Sequence, residues 1–181
     1  MAGSGNDKPL NDRPLNEKPV VGTSACLLGE AVRYDGAHKH TRAVADELAR
    51  HVRLCAFCPE LGIGLSVPRP PIQLVRFPDA VRVRGVEEPE RDFTDALRAY
   101  ADAVEAGLSG FVFKARSPSC GLESTPVFDE EDREVDTASG AFAARLRELF
   151  PEMPVCDEEE LEVPGFLEEF VARVRAFHRQ C

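Results

Sequence analysis

Three short apolar runs constrain the fold of this chain more than any other feature. They read VVGTSA from Val20, VRLCAF from Val52 and GFVFKA from Gly110, and segments such as FVF are apolar on both faces. Strands of this composition are typical of a parallel sheet that is covered on both sides. Segments with helical periodicity lie between and after these runs. The alternation predicts an α/β fold, in which a Rossmann-like, parallel or mostly parallel sheet is flanked by helices.

The predicted helices are recognised by apolar residues that recur every three or four positions. The segment TRAVADELARHV, residues 41–52, has this spacing, and a clear helix is expected over residues 93–108. Another covers roughly residues 141–150. A last helix is expected to begin at Pro164, because proline suits the first helical position. The segments IQLVRF and AVRVRG are strand-like.

Composition indicates a single folded domain that follows an unstructured arm. The 181 residues suit one domain, and a hydrophobic content of 43% is enough for a core. Residues 1–19 contain a polar pentad repeat, NDKPL, NDRPL and NEKPV, which is predicted to be disordered. Residues 20–181 form the expected domain. No apolar run approaches the roughly 20 residues of a membrane span, and no apolar leader is seen, so a cytoplasmic protein is predicted.

The chain is acidic, with a formal net charge of −10. Two acidic runs, DEEDRE at 129–134 and DEEE at 157–160, are expected to form solvated surface. This balance argues against broad binding of a nucleic-acid backbone, which needs clustered Lys and Arg. Local positive charge is nevertheless expected beside the cysteine turns, where it would favour thiolates. The basic residues concerned are Arg33, Lys39, Arg69, Lys114 and Arg116.

Three of the six cysteines have positions that suggest a function. Cys26, Cys58 and Cys120 each lie just past the carboxyl end of a predicted strand, in a turn rich in small residues or proline. If the strands are parallel, the three thiols converge on the crevice where α/β proteins bind ligands. Three thiolates leave one metal position open, as in an iron–sulfur cubane with a free iron. The other three are expected to be ordinary buried thiols: Cys55, Cys156 and Cys181.

Two other uses of the cysteines stay open at this point. A non-catalytic zinc module would use Cys26, Cys55, Cys58 and Cys120. A thiol-redox protein would use the C-x-x-C pair formed by Cys55 and Cys58. Both differ from the cluster hypothesis in needing Cys55. Three further residues are candidates for roles in the pocket or in the fold: Arg33, Asp35 and Arg69.

Three motifs in order, SACLLGEAVRYDG, CPELGIGLSVPRPP and KARSPSCG, resemble the signature of the 2-thiouracil desulfurase family. The similarity extends over residues 20–149, most of the predicted domain. It implies an α/β fold and a [4Fe–4S] cluster held by Cys26, Cys58 and Cys120. It also implies removal of sulfur from a thiolated pyrimidine base such as 2-thiouracil, which gives uracil and hydrogen sulfide.

The resemblance assigns two further roles in the reaction. The family's acidic residue falls on Glu60 and its hydroxyl on Ser117. Glu60 would act as general base towards an attacking water, and Ser117 would position the water or relay a proton. Larger relatives carry an added C-terminal domain, whereas this chain ends near the core. A free base or a nucleoside is therefore the expected substrate.

Overall fold

A computed structural model describes residues 18–105 and 107–180, and eight strands and four α-helices organise this part of the chain. The strands are β1 (Val20–Ser24), β2 (Arg53–Phe57), β3 (Ile72–Arg76), β4 (Val81–Gly85), β5 (Gly110–Phe113), β6 (Thr125–Phe128), β7 (Glu134–Ala138) and β8 (Val155–Asp157). The helices are α1 (Pro59–Gly62), α2 (Thr94–Asp102), α3 (Ala141–Leu149) and α4 (Phe166–His178). Within the described ranges, no helix is both long and apolar enough to cross a membrane.

The first sheet is parallel and contains the three apolar runs. Its strand order is β2-β1-β5-β8, and each neighbouring pair runs in the same direction. Strand β5 is buried along its whole length, as its sequence predicted. Helices pack on both faces of this sheet. The predicted α/β fold with a parallel sheet and flanking helices is therefore confirmed.

The cores on the two faces of this sheet draw on different helices. One core includes residues of the segment 43–50 and of α4, and the other includes residues of α2 and α3. The first contains Val21, Val44, Leu48, Val112, Phe170 and Val174. The second contains Ala101, Phe111, Phe113, Phe142 and Leu146. Each face of the sheet is thus covered by an apolar layer. The ends of the strands remain available for a functional site.

A second sheet, which the sequence did not predict, lies beside the first. Its order is β4-β3-β6-β7, with two antiparallel pairs and one parallel pair, β3 with β6. The strand-like segments IQLVRF and AVRVRG form β3 and β4 as predicted. Strands β6, β7 and β8 were not predicted. They are three to five residues long, β6 contains a proline, and β7 is mostly exposed, so none has a strong apolar pattern.

Helix boundaries depart from the periodic pattern where the chain must enter the next strand. The helix expected over 93–108 is shorter, at Thr94–Asp102. The chain leaves it early because Ser109 already donates its N–H to the Val20 carbonyl alongside β1, at 2.7 Å. The last helix begins at Phe166, not at Pro164, because Gly165 takes a left-handed conformation with φ of 85°. The helix expected over 141–150 is confirmed within one residue.

The segment 41–52 is helical but irregular. A π-helical turn, Ala43–Glu47, leads directly into a 3₁₀ turn, Leu48–Arg50. The apolar residues at helical spacing, Val44, Leu48 and Val52, are all buried. The apolar spacing thus identified the buried side of the segment but not its hydrogen-bonding pattern.

The predicted N-terminal arm, residues 1–19, lies outside the described residues except for its last two. Lys18 is exposed, whereas Pro19 is buried and its carbonyl accepts a hydrogen bond from the Arg53 N–H at 2.8 Å. Pro19 therefore belongs to the folded part. Cys181 also lies outside the described residues.

Two predictions of burial are wrong. Cys55 was expected in the core, but it is exposed, because β2 is an edge strand of the first sheet. The acidic run at 157–160 was expected on the surface, yet Asp157 and Glu158 are buried. The run at 129–134 does form a largely exposed turn between β6 and β7, and Cys156 is fully buried as expected.

Candidate active site

The carboxyl ends of β1, β2 and β5 open onto a cavity of about 550 Å³, which we call the cysteine cavity. Cys26, Cys58 and Cys120 all line it. Cys26 lies in the 3₁₀ turn that follows β1, Cys58 directly precedes α1, and Cys120 lies in the turn after β5. Cys26 and Cys120 are buried and Cys58 is half-buried. The predicted convergence of the three thiols is therefore present in the structure.

The turn that carries Cys120 is held by a network centred on Ser117. The Ser117 hydroxyl accepts the N–H of Ser119 at 3.3 Å and the N–H of Cys120 at 3.1 Å. Its carbonyl accepts the Gly121 N–H at 2.7 Å and the Thr125 hydroxyl at 2.9 Å. A side chain at Gly121 would place its Cβ 1.9 Å from the Thr125 hydroxyl oxygen, so only glycine fits here. The backbone of this turn is thus fixed independently of any ligand.

Burial dominates the electrostatics of the three thiols. Loss of solvent raises the pKa of Cys26 to about 11, although Lys114 acts in the opposite direction. Burial also raises the pKa of Cys58 and that of Cys120. The basic surroundings predicted to favour thiolates are present, but desolvation outweighs them. Thiolates in such a place need a bound metal as counter-charge, since metal coordination deprotonates thiols.

Glu60 projects from the short helix α1 onto the same cavity, and two polar partners fix its carboxylate. Arg69 Nε donates to Oε2 at 2.8 Å, and the Ser119 hydroxyl donates to Oε1 at 2.7 Å. The Arg69 side chain is only 5% exposed, and Ser119 is fully buried. The hydroxyl in contact with Glu60 is therefore that of Ser119, whereas Ser117 caps its own turn. The second serine of S-P-S-C carried no separate signal in the sequence.

Arg69 also connects Glu60 to the loop that follows Cys26. Its guanidinium donates to the carbonyls of Val32 and Ser66, both at 3.0 Å, and its backbone N–H donates to the Tyr34 carbonyl at 2.9 Å. Arg69 therefore has a role in the fold as well as in the pocket. The motifs C-P-E and V-R-Y-D-G, far apart in sequence, are joined through this one side chain.

The V-R-Y-D-G loop places Arg33 and Tyr34 on the cavity wall and Asp35 outside it. Asp35 accepts the N–H of Ala37 at 3.0 Å, and this hydrogen bond, with help from Arg33, lowers the pKa of Asp35. Arg33 lies 3.5 Å from the Asp35 carboxylate. Asp35 thus shapes the loop, and Arg33 faces the site.

The charge around the cavity matches the sequence in one respect. All five basic residues expected near the cysteine turns line the cavity: Arg33, Lys39, Arg69, Lys114 and Arg116. Lys114 forms a buried ion pair with Glu158. The sequence did not identify Glu158 as a candidate, because it lies within an acidic run. The site is therefore locally cationic on an acidic protein.

The donor set fits an iron–sulfur cluster better than a single ion. Soft sulfur donors of this kind select iron–sulfur clusters, zinc or copper(I). Among the residues that the structure describes, no three Cys, His, Asp or Glu side chains are grouped closely enough to hold one metal ion. A cubane is held by cysteines on separate irons, so three thiols that line one cavity fit it. Cys55, which the zinc and redox alternatives need, is exposed and does not line the cavity.

Comparison with known proteins agrees with this chemistry. A family model described as 2-thiouracil desulfurase matches residues 21–159. The uncharacterized protein YbbK of Bacillus subtilis (strain 168) is 30% identical over 134 residues, 69% of this chain and 87% of that protein. The solved structure of the [4Fe–4S]-dependent thiouracil desulfidase TudS superposes with a TM-score of 0.64 and 30% identity, covering 87% of this chain and 99% of that chain. The resemblance seen in the three motifs is confirmed. The chain belongs to the 2-thiouracil desulfurase family.

Proposed function

We propose that this chain removes sulfur from a thiolated pyrimidine base such as 2-thiouracil, using a [4Fe–4S] cluster held by Cys26, Cys58 and Cys120. Water would replace the thiocarbonyl sulfur by oxygen, so that the products are uracil and hydrogen sulfide. The observation that carries the proposal is the meeting of three thiols, from three separate strand ends, on one cavity beside Glu60. Membership of the family and similarity to TudS support it.

The cluster and the chain divide the work. When bound by three cysteines, a cubane supplies one iron without a protein ligand, a soft Lewis acid suited to a thiocarbonyl sulfur. The chain's own residues bind the ring, activate the water and move protons. Their positions follow from the contacts described above.

Glu60 is the general base of the proposed reaction. It takes a proton from the water that attacks the carbon of the C–S bond. Arg69 and Ser119 hold its two oxygens, so the carboxylate need not reorient when the water arrives. Each oxygen keeps a further lone pair for the water. General base catalysis of this kind is typically worth about 10² to 10⁴ in rate.

Ser117 positions the water or relays a proton. Two backbone N–H groups donate to its hydroxyl oxygen, which leaves the hydroxyl proton free to donate into the cavity that Ser117 lines. The same two bonds restrict the rotation of the side chain. Ser117 thus presents a donor whose position is set by the turn that carries Cys120.

The expected substrate is a free base or a nucleoside. A volume of about 550 Å³ lies within the usual range of small-molecule pockets. Ile72, Pro126 and Phe128 line one side and offer apolar surface to the face of a flat heterocycle. The net charge of −10 disfavours a nucleic-acid polymer.

We further propose that residues 20–181 act as one domain and that the protein works in the cytoplasm. Helix α2 contributes Ala101 to a core of the first sheet and Leu97 to the core of the second, which supports a single unit. Three free cysteines that must stay available as ligands favour a reducing compartment.

The proposal is tested by assembling the cluster and measuring turnover. The full chain is reconstituted anaerobically with iron and sulfide, its visible spectrum and iron content are recorded, and the conversion of 2-thiouracil to uracil and hydrogen sulfide is followed. We expect a brown protein with about four irons that produces uracil. The matched variants are Cys120→Ala, which removes a proposed ligand, and Cys55→Ala, which removes an exposed thiol outside the cavity.

The two variants separate the cluster from its alternatives. Cys55→Ala should keep iron and activity, and Cys120→Ala should lose both, with circular dichroism showing that each variant is folded. A colourless zinc protein whose metal is lost in Cys55→Ala would defeat the proposal. Activity in a protein without iron would defeat it as well.

A further inference from the structure

One carboxylate beside the cysteine cavity has no part in the proposed reaction. Glu158 directly follows β8, and its backbone N–H donates to the Phe113 carbonyl at the end of β5, at 3.2 Å. Its side chain is only 9% exposed. Burial of an ionised carboxylate is unfavourable unless it is paired and hydrogen-bonded. The position of Glu158 therefore calls for an explanation.

Glu158 uses both of its oxygens on the segment that leads towards Cys120. Oε1 accepts from the Lys114 ammonium, and Oε2 accepts the Ala115 N–H at 2.6 Å. The Lys114 ammonium also donates to the Ala115 carbonyl at 2.8 Å. The backbone N–H of Lys114 donates to the Ser24 hydroxyl at 3.1 Å, next to the turn that carries Cys26. A flexible lysine is thus held in one place, with its side chain 17% exposed.

Lys114 lies on the wall of the cavity, near the turn that carries Cys26. Lys114 and Cys26 both line the cavity, whereas Glu158 does not. The pair therefore brings a positively charged residue, and not its negative partner, to the wall of the cavity.

We propose, on the basis of the cluster in the proposed function, that Glu158 is a positioning residue that fixes Lys114 beside Cys26. The pair sets the charge felt by the cluster and by the sulfur atom of the substrate. A cubane held by three thiolates is a desolvated anion, and a buried cation close to it stabilises added negative charge. Glu158 holds the cation in place and limits its effect.

A neighbouring ion pair provides a matched control. Arg116 pairs with Glu159. Arg116 lies two residues after Lys114, and Glu159 lies one residue after Glu158. The side chains of this pair are 64% and 54% exposed, so solvent screens their charges. Glu158→Gln and Glu159→Gln therefore remove the same charge from adjacent positions that differ in burial.

The experiment measures the midpoint potential of the cluster, by an anaerobic redox titration followed by electron paramagnetic resonance. The full chain is compared with Glu158→Gln, Lys114→Met, the double variant and Glu159→Gln. Loss of the Glu158 charge should shift the potential upwards, because the more negative reduced cluster is then favoured. Loss of the Lys114 charge should shift it downwards. The double variant should lie between the two, and Glu159→Gln should match the wild type.

Opposite shifts in the two single variants are the signature that a merely structural role would not produce. Unchanged potentials, or shifts of the same sign in both, would overturn the inference. If a single variant fails to hold iron, the double variant decides. It should regain the cluster, since no unpaired buried charge remains, and a double variant without iron would refute the inference. A wild-type protein without a cluster would defeat the proposed function itself.

Discussion

The two sheets contribute walls of different chemistry to the same cavity. One wall is formed by the parallel sheet, its turns and Arg69, which joins it through the hydrogen bond to Glu60. It carries the three thiols and, among the lining residues that the structure describes, every charged side chain: Arg33, Lys39, Glu60, Arg69, Lys114 and Arg116. The other wall is formed by the strands of the second sheet and the residues that directly adjoin them, and it is uncharged: Pro71, Ile72, Gln73, Val86, Thr125, Pro126 and Phe128. We call these the reactive wall and the apolar wall.

The difference suggests that reaction and recognition are separated in this site. Side chains on the reactive wall are fixed by specific hydrogen bonds, as Glu60 is by Arg69 and Ser119. The apolar wall offers shape and surface, which bind the ground state and the transition state alike. Substitutions on the reactive wall should therefore change the cluster or kcat, and those on the apolar wall should change KM.

The largest effect is expected for a cysteine on the reactive wall. Cys26→Ala should lose the iron and all turnover, because one of three proposed ligands is gone. Cys156→Ala is the control, since Cys156 is fully buried in the core of the parallel sheet and does not line the cavity. It should keep the iron and lower the free energy of unfolding by about 1 kcal/mol. Iron analysis and urea unfolding measure both, and iron loss in Cys156→Ala alone would reverse the assignment.

Glu60→Gln should give the next largest effect. The amide keeps the size and polarity of the side chain but is a poor base, so kcat should fall by about 10² to 10⁴ while the iron content stays at the wild-type level. Single-turnover measurements of uracil formation under anaerobic conditions give the rate. Full activity in a variant that holds its cluster would remove Glu60 from the reaction and leave the reactive wall with a structural role only.

The reactive wall was largely predictable from sequence, because local motifs encode it. Each proposed ligand follows an apolar run or lies in a serine–proline turn, so each could be placed just past the carboxyl end of a predicted strand. The parallel direction of these strands could be predicted from the alternation of strands and helices alone. Cys26, Cys58 and Cys120 could thus be placed together before the structure was known.

The rest depends on contacts between distant segments. Glu158 is buried because β8 lies beside β5. The sequence of an acidic run does not predict which strand it will lie beside. Cys55 is exposed because β2 is at the edge of the sheet. The position of a strand within a sheet cannot be predicted from the sequence of that strand alone. Ser119 differs from Ser117 only in the direction its hydroxyl takes in the folded turn. The apolar wall could not be predicted because the strands that form it are too short to show a clear alternation of apolar and polar residues.

Ser119→Ala tests whether the Ser119 hydroxyl helps to position Glu60 on the reactive wall. It removes the 2.7 Å hydrogen bond to Glu60 and leaves the Arg69 contact in place. A hydrogen bond to a charged group is worth about 1.5–3 kcal/mol, so kcat should fall roughly ten- to hundredfold with little change in KM. Ser139→Ala, which removes a bond to the Glu123 N–H outside the cavity, should behave as the wild type. Equal kcat values in both variants would show that Arg69 alone positions the base.

The smallest effect is expected on the apolar wall, where Phe128→Ala tests the other half of the comparison. Aromatic stacking on a base is worth about 1–3 kcal/mol, and Phe128 is only half-buried, so the lower value applies. KM for 2-thiouracil should rise roughly fivefold, with kcat and iron content unchanged. Phe77→Ala is the control, because Phe77 stacks with Arg84 beside the same sheet but does not line the cavity. A fall in kcat at constant KM in Phe128→Ala would mean that the second sheet takes part in the chemical step, and the division between the two walls would then be wrong.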